Sequence, residues 1–145
     1  MGSITLIDKI KLTPLDTISV QGGDVRHILK KDSENFFGFG EAYFSNIEFN
    51  TIKAWKKHSR MTMNLVVPVG KILFIFVDQD GESIRREVIG EDSYKLLTVP
   101  PGIWFGFKGL KVGKNLLLNL ADIVHDPREI DRGNVDGFKV DWMEK

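Results

Sequence analysis

Short runs in which apolar and polar residues alternate follow one another along the chain, and no segment sustains a helical period. Ile4 to Leu12 predicts a first strand, ended by Pro14. Gly22-Gly23-Asp24 reads as a turn into a strand at Val25 to Leu29, and the polar run Lys30 to Asn35 reads as a loop. Phe39 to Phe49, Thr51 to His58 and Met61 to Val67 predict further strands, with a tight connection at Pro68 to Gly70. In Lys71 to Val77, Ile72, Phe74 and Phe76 alternate with Leu73, Ile75 and Val77, so both faces are apolar. That pattern predicts a strand buried on both sides. Asp78-Gln79-Asp80-Gly81 reads as a hairpin turn, since glycine supplies the positive φ. Ser83 to Ile89, Tyr94 to Val99, Ile103 to Phe107 and Leu116 to Ile123 complete the set, with Pro100-Pro101-Gly102 as a turn. The one helical candidate follows Asp126-Pro127, where proline suits the first helical position. About ten short strands at close spacing predict an all-β sandwich or barrel, as one domain over residues 1–145.

Composition narrows the function. Twenty Lys+Arg balance twenty Asp+Glu, which argues against a general polyanion binder and so against nucleic acid as partner. Cysteine is absent, which excludes a disulfide framework, a thiolate nucleophile and a Cys-ligated metal. No apolar run approaches the ~18–20 residues of a membrane-spanning helix. Met1 to Leu12 carries no signal-peptide core, so a cytoplasmic location is expected.

Three segments, in order, carry a resemblance: Ile52-Lys53-Ala54-Trp55-Lys56-Lys57-His58, Val69 to Asp78, and Leu97-Thr98-Val99-Pro100-Pro101-Gly102-Ile103-Trp104-Phe105-Gly106-Phe107. They resemble the dTDP-4-dehydrorhamnose 3,5-epimerase-like cupins, in particular a short branch reading I-K-G-W-H-x-H-K and I-P-P-G-V-W-x-G-F-K-G. Asp122 to Pro127 with Glu129 and Arg132, and the closing Val140-Asp141-Trp142, look like the tail of that branch. The resemblance spans roughly Gly23 to Trp142. It implies a cupin jelly roll, or double-stranded β-helix barrel, a homodimer, and chemistry on a nucleotide-linked 4-keto sugar without metal or other cofactor. A ketone at C4 acidifies C3–H and C5–H. A base removes the proton, the enolate is stabilised, and return of the proton on the other face inverts the carbon.

The sequence departs from the family pattern at the groups that do this chemistry. The family's histidine base falls on Lys56, and the next histidine, His58, stands two residues on. The late carboxylate that orients the base in longer members lies beyond this chain's end. The family's tyrosine falls near Leu118 or Asn119, its active-site lysine near Met63, and its early diphosphate arginine on Gly22. The metal-ligand positions of other cupins fall on Lys56, Met63 and Phe105, so no metal site is expected.

Candidates follow from strand alternation. His58, with an ordinary pKa near ~6.5, is the easier base at neutral pH; Lys56 serves only if its pKa is lowered. Alternation puts Lys56, His58 and Ala54 on one face and Lys53, Trp55 and Lys57 on the other. Tyr43 is the replacement acid, on one strand face with Glu41. Lys56, Lys57 and Arg60 form a cationic cluster suited to a diphosphate, while Glu41, Asn64 and Asn119 offer polar contacts to the sugar. Trp104 and Phe105 read as core, His27 as a satisfied barrel residue, and His125 as a capping or dimer residue. With the resemblance, these residues imply an isomerase that epimerises a dTDP- or CDP-linked 4-keto-6-deoxyhexose at C3, or at C3 and C5. Such a sugar serves lipopolysaccharide O-antigen or another surface glycan. A 3,4-ketoisomerase of the same superfamily and a sugar-nucleotide-binding cupin without catalysis are the alternatives.

Overall fold

The computed structural model describes residues 5–143. Its strands are β1 (Lys11–Pro14), β2 (Thr17–Val20), β3 (Gly23–Arg26), β4 (Glu41–Ile47), β5 (Ile52–His58), β6 (Met63–Val69), β7 (Lys71–Val77), β8 (Ile84–Gly90), β9 (Lys95–Val99), β10 (Trp104–Gly109), β11 (Asn115–Ala121) and β12 (Ile130–Arg132). They form two five-stranded sheets, β1-β9-β6-β11-β4 and β12-β5-β10-β7-β8, and a separate β2-β3 hairpin. The antiparallel pairs β4·β11, β5·β10, β6·β9 and β7·β8 nest inside one another along the sequence. One long hairpin rolled on itself gives that nesting, and it is the jelly roll the sequence implies.

β7 lies where its pattern predicts. Ile72, Phe74 and Phe76 enter the core between the sheets with Met63, Leu65, Leu97, Phe105 and Phe107. Leu73, Ile75 and Val77 face outward into a second cluster with Trp55, capped by Trp104, Phe138, Val140 and Trp142. Trp55 meets Trp142 at 5.3 Å and Phe138 edge-on at 5.2 Å between ring centroids. The tail thus covers a sheet face that water would otherwise meet, and burial of such aromatic area is its main stabilisation.

The start of the chain departs from expectation. Of the predicted strand from Ile4, residue 4 lies outside the described residues, and Leu6–Lys9 form a 3-10 helix before β1. β2 and β12 are strands the sequence pattern missed. His27 is no barrel residue: it follows β3 beside the separate hairpin, its N–H donating to the Asp16 carbonyl. The helix after Asp126 is one 3-10 turn, Pro127–Glu129, with the Asp126 side chain accepting from the Arg128 N–H.

Candidate active site

The interior between the sheets holds a cavity of about 460 Å³, within the size range of small-molecule sites. β5 and β10 supply one wall, through Lys53, Lys56, Phe105 and Phe107. The facing sheet supplies the other, through Tyr43 and Ser45 of β4, Leu117 and Asn119 of β11, and Met63 and Leu65 of β6. Arg132 and Gly133 close it beside β5. The lining mixes apolar surface with three cations and a phenol, and no carboxylate among the described residues lines it.

A bulge in β5 decides which lysines face inward. Phe105 pairs with Lys56, but Gly106 pairs with Ala54, so Trp55 has no opposite residue on β10. Trp55 pairs instead with Gly133, exchanging both backbone hydrogen bonds at 3.0 and 2.9 Å. The extra residue shifts the alternation by one. Lys53, opposite Phe107, therefore joins Lys56 on the inner face, whereas strict alternation placed it outside. Ala54 and Trp55 turn outward into the tail cluster. Gly106 permits the arrangement: a Cβ there would stand 2.6 Å from Ala54 Cβ and 2.9 Å from Trp142.

Lys56 sits on the cavity wall with Arg132 and Lys53 as cationic neighbours. Burial lowers its pKa from 10.5, Arg132 and Lys53 lower it further, and Glu129 opposes them only in part.

His58 is buried, and its Nδ1 lies 2.5 Å from Glu129 Oε2. The other carboxylate oxygen, Oε1, accepts from the backbone N–H groups of Arg60 (3.0 Å) and Met61 (2.9 Å). Burial works against the Glu129 charge, but bonds from His58, Met61 and Arg60 outweigh it and lower the pKa. Burial also lowers that of His58 below 6.5, more than Glu129 raises it; Lys56 and His125 add to the lowering. The pair is therefore carboxylate and neutral imidazole, with Nδ1–H donating to Glu129 and Nε2 unprotonated. The histidine's carboxylate, expected to be missing, is supplied by Glu129 from the late 3-10 turn. His58 does not itself line the cavity; it stacks on Phe105, which does, at 6.0 Å between centroids.

On the opposite wall Asn119 Nδ2 lies 3.0 Å from the Tyr43 hydroxyl, while its buried Oδ1 has no hydrogen-bond partner among the described residues. Both residues line the cavity, on the wall across from Lys56. Glu41 shares the inward face of β4 with Tyr43, opposite Ala121, but lies outside the cavity lining.

Three expected substrate contacts are corrected. Asn64 alternates with the inward Met63 and Leu65, so it faces out; it donates to the Asn35 carbonyl (2.9 Å) and accepts from Thr98 (2.6 Å). Lys57 points outward, over the Trp104 ring at 5.1 Å and 3.6 Å from Asp131. Arg60 lies outside the lining and pairs with Asp126 at 2.8 Å. The cation cluster on this site is Lys53, Lys56 and Arg132. Arg132 and Glu129 drew notice in the sequence only as parts of a familiar tail; with Pro127 opening a turn, their approach to β5 had no periodic signal.

No family model matches the chain, and no curated protein matches it by sequence. Solved structures do. A dTDP sugar isomerase from Desulfovibrio desulfuricans G20 superposes with a TM-score of 0.88 at 32% identity, over 97% of this chain and 95% of that one. A dTDP-6-deoxy-D-glucose-3,5-epimerase from Legionella pneumophila Philadelphia 1, in complex with dTDP-4-keto-L-rhamnose, gives 0.80 at 14% identity, over 95% and 80% of the two chains. A 3'-monoepimerase from Streptomyces bikiniensis, in complex with dTDP-quinovose, gives 0.77 at 12%, over 87% and 70%. The last two show the shared fold alone. With 32% identity across nearly the whole of both chains, the chain belongs to the dTDP-sugar isomerase family, the sugar-nucleotide cupins akin to dTDP-4-dehydrorhamnose 3,5-epimerase.

Proposed function

We propose that this protein epimerises a nucleoside-diphosphate 4-keto-6-deoxyhexose at C3, in the making of a deoxysugar. The observation that carries the reading is one cavity with Lys56 on the β5 wall and Tyr43 on the facing wall. Inversion needs a proton taken on one face and returned on the other. The β5 side offers the neutral His58, oriented by Glu129, and the amine of Lys56, which meets the substrate directly. The Tyr43 hydroxyl returns the proton from the facing sheet, with Asn119 at hydrogen-bond distance from it. Lys53 and Arg132 suit the diphosphate, which is anionic at every working pH. Epimerisation at C5 as well, a homodimer, a cytoplasmic location and a place in O-antigen biosynthesis extend the same reading.

The test is product identification. The protein is incubated with dTDP- and with CDP-4-keto-6-deoxyglucose and the products are followed by NMR. A C3 epimer from either nucleotide supports the reading, and a C3/C5 epimer extends it. A carbonyl moved to C3 would replace it with a 3,4-ketoisomerase. Binding of both nucleotides with no turnover would leave a binding module.

A further inference from the structure

A 4-keto sugar and a half-buried lysine, flanked by cations on the wall of a cavity that mixes apolar and polar side chains, can do more than exchange a proton. We infer that Lys56 is a covalent catalytic residue: its Nζ condenses with the C4 ketone, and C3 is inverted through the resulting iminium and enamine. The inference rests on the substrate class proposed above.

Three observations converge. Lys56 faces Phe105 across the β5·β10 pair, with Met63, Leu65 and Phe107 around the same cavity. Lys53 and Arg132 flank it, and burial with their charge holds down its pKa. Apolar surroundings and a neighbouring cation are what make a lysine amine nucleophilic. The third observation is the loss of groups. Met63 and Asn119 line the cavity, and the resemblance puts the family's lysine near Met63 and its tyrosine near Leu118 or Asn119. A free enolate in this cavity lacks those donors. A neutral enamine needs none, because the iminium nitrogen takes up the electron pair.

The steps balance. Nζ bonds to C4. The C4 oxygen takes one proton from the amine and one from solvent and leaves as water, and the nitrogen keeps one proton as the iminium. The C3–H bond breaks. Its electron pair forms C3=C4, the C4=N pair moves to nitrogen, and the proton passes through the expelled water to the neutral His58. The Tyr43 hydroxyl then protonates C3 on the other face. Water adds to C4, one of its protons passes to Nζ and the other to solvent, and the C–N bond breaks, which releases the ketone and restores the neutral amine. Solvent returns a proton to Tyr43 and removes one from His58.

The experiment uses wild-type protein, dTDP-4-keto-6-deoxyglucose and sodium cyanoborohydride, which reduces an iminium in preference to a ketone. Intact mass and peptide mapping follow, with H3 exchange measured in parallel in deuterated buffer. The expected result is one sugar nucleotide fixed per chain, on Lys56, with activity lost as the adduct grows. Lys57→Met, outside the cavity, still takes the label, whereas Lys56→Arg, folded by its thermal melt, neither takes it nor exchanges H3. Exchange in the wild type with no adduct overturns the covalent role, as does exchange retained in Lys56→Arg. An adduct on Lys56 without exchange supports the amine–ketone step but overturns inversion through it. Neither exchange nor adduct overturns the substrate reading, and the covalent role with it.

Discussion

At the scale of single residues, the two walls of the cavity carry different groups, Lys56 on one and Tyr43 on the other. In the proposed reaction Tyr43 returns the proton, and its hydroxyl lies 3.0 Å from Asn119 Nδ2. Replacing it with Phe leaves the wash-in of deuterium at C3 but lowers epimer formation by about 10²–10⁴-fold, the ordinary worth of a positioned acid; NMR reads both in one sample. The His58–Glu129 pair sets the acid stability. The unfolded chain takes up the histidine proton near 6.5, the folded chain only at lower pH, because burial depresses His58. Unfolding is therefore favoured as pH falls through that value. Glu129, lowered from 4.5, adds the same trend further down. Thermal melts are expected to show the midpoint falling from about pH 7 to pH 4. His58→Asn lies lower throughout, for its lost Glu129 bond, and flatter between about pH 7 and pH 5, for its lost titration.

At the scale of elements, the bulge in β5 makes the site. Had β5 kept strict alternation, Lys53 would face the tail and the cavity would hold one lysine on that strand. Gly106 is the residue opposite that permits it. Gly106→Ala places a methyl 2.6 Å from Ala54 Cβ and 2.9 Å from Trp142. It is expected to cost about 1–3 kcal/mol by overpacking, measured by urea unfolding, and to weaken nucleotide binding as Lys53 shifts. Here the limits of sequence reading are physical. β7 was legible to the residue because both its faces carry apolar side chains that no solvated strand tolerates. The faces of Lys53, Lys57 and Asn64 were not. A period of two carries no mark of a one-residue bulge, and Asn64 looks alike whether it meets a sugar or locks Asn35 to Thr98. Glu129 reaches His58 across 71 positions of sequence, a separation at which local patterning is silent.

At the scale of the molecule, nested pairing and the doubly buried β7 join everything into one cooperative unit. The inner core and the Trp55–Trp142 cluster share that strand, so neither survives without the other. Unfolding followed by tryptophan fluorescence, which reports the outer cluster, and by far-UV circular dichroism, which reports the sheets, is expected to coincide. Two separate transitions would mean the tail and its cluster melt alone. The jelly roll itself was legible only through the family resemblance that three ordered segments carry, whereas the strand pattern alone reads as an all-β sandwich or barrel. The cavity was legible only in its chemistry class, because its lining comes from β4, β5, β6, β10, β11 and the turn after β12, and their meeting is a product of the whole fold.

The central claim is that this cavity activates C3 of a 4-keto sugar nucleotide through Lys56. The most direct measurement is H3 exchange by NMR in deuterated buffer with dTDP- and CDP-4-keto-6-deoxyglucose, comparing wild type with Lys56→Met. The wild type is expected to lose the H3 signal and the variant to retain it, with the variant's fold intact by its melt. Equal exchange in both proteins, or none in the wild type with either nucleotide, would contradict it.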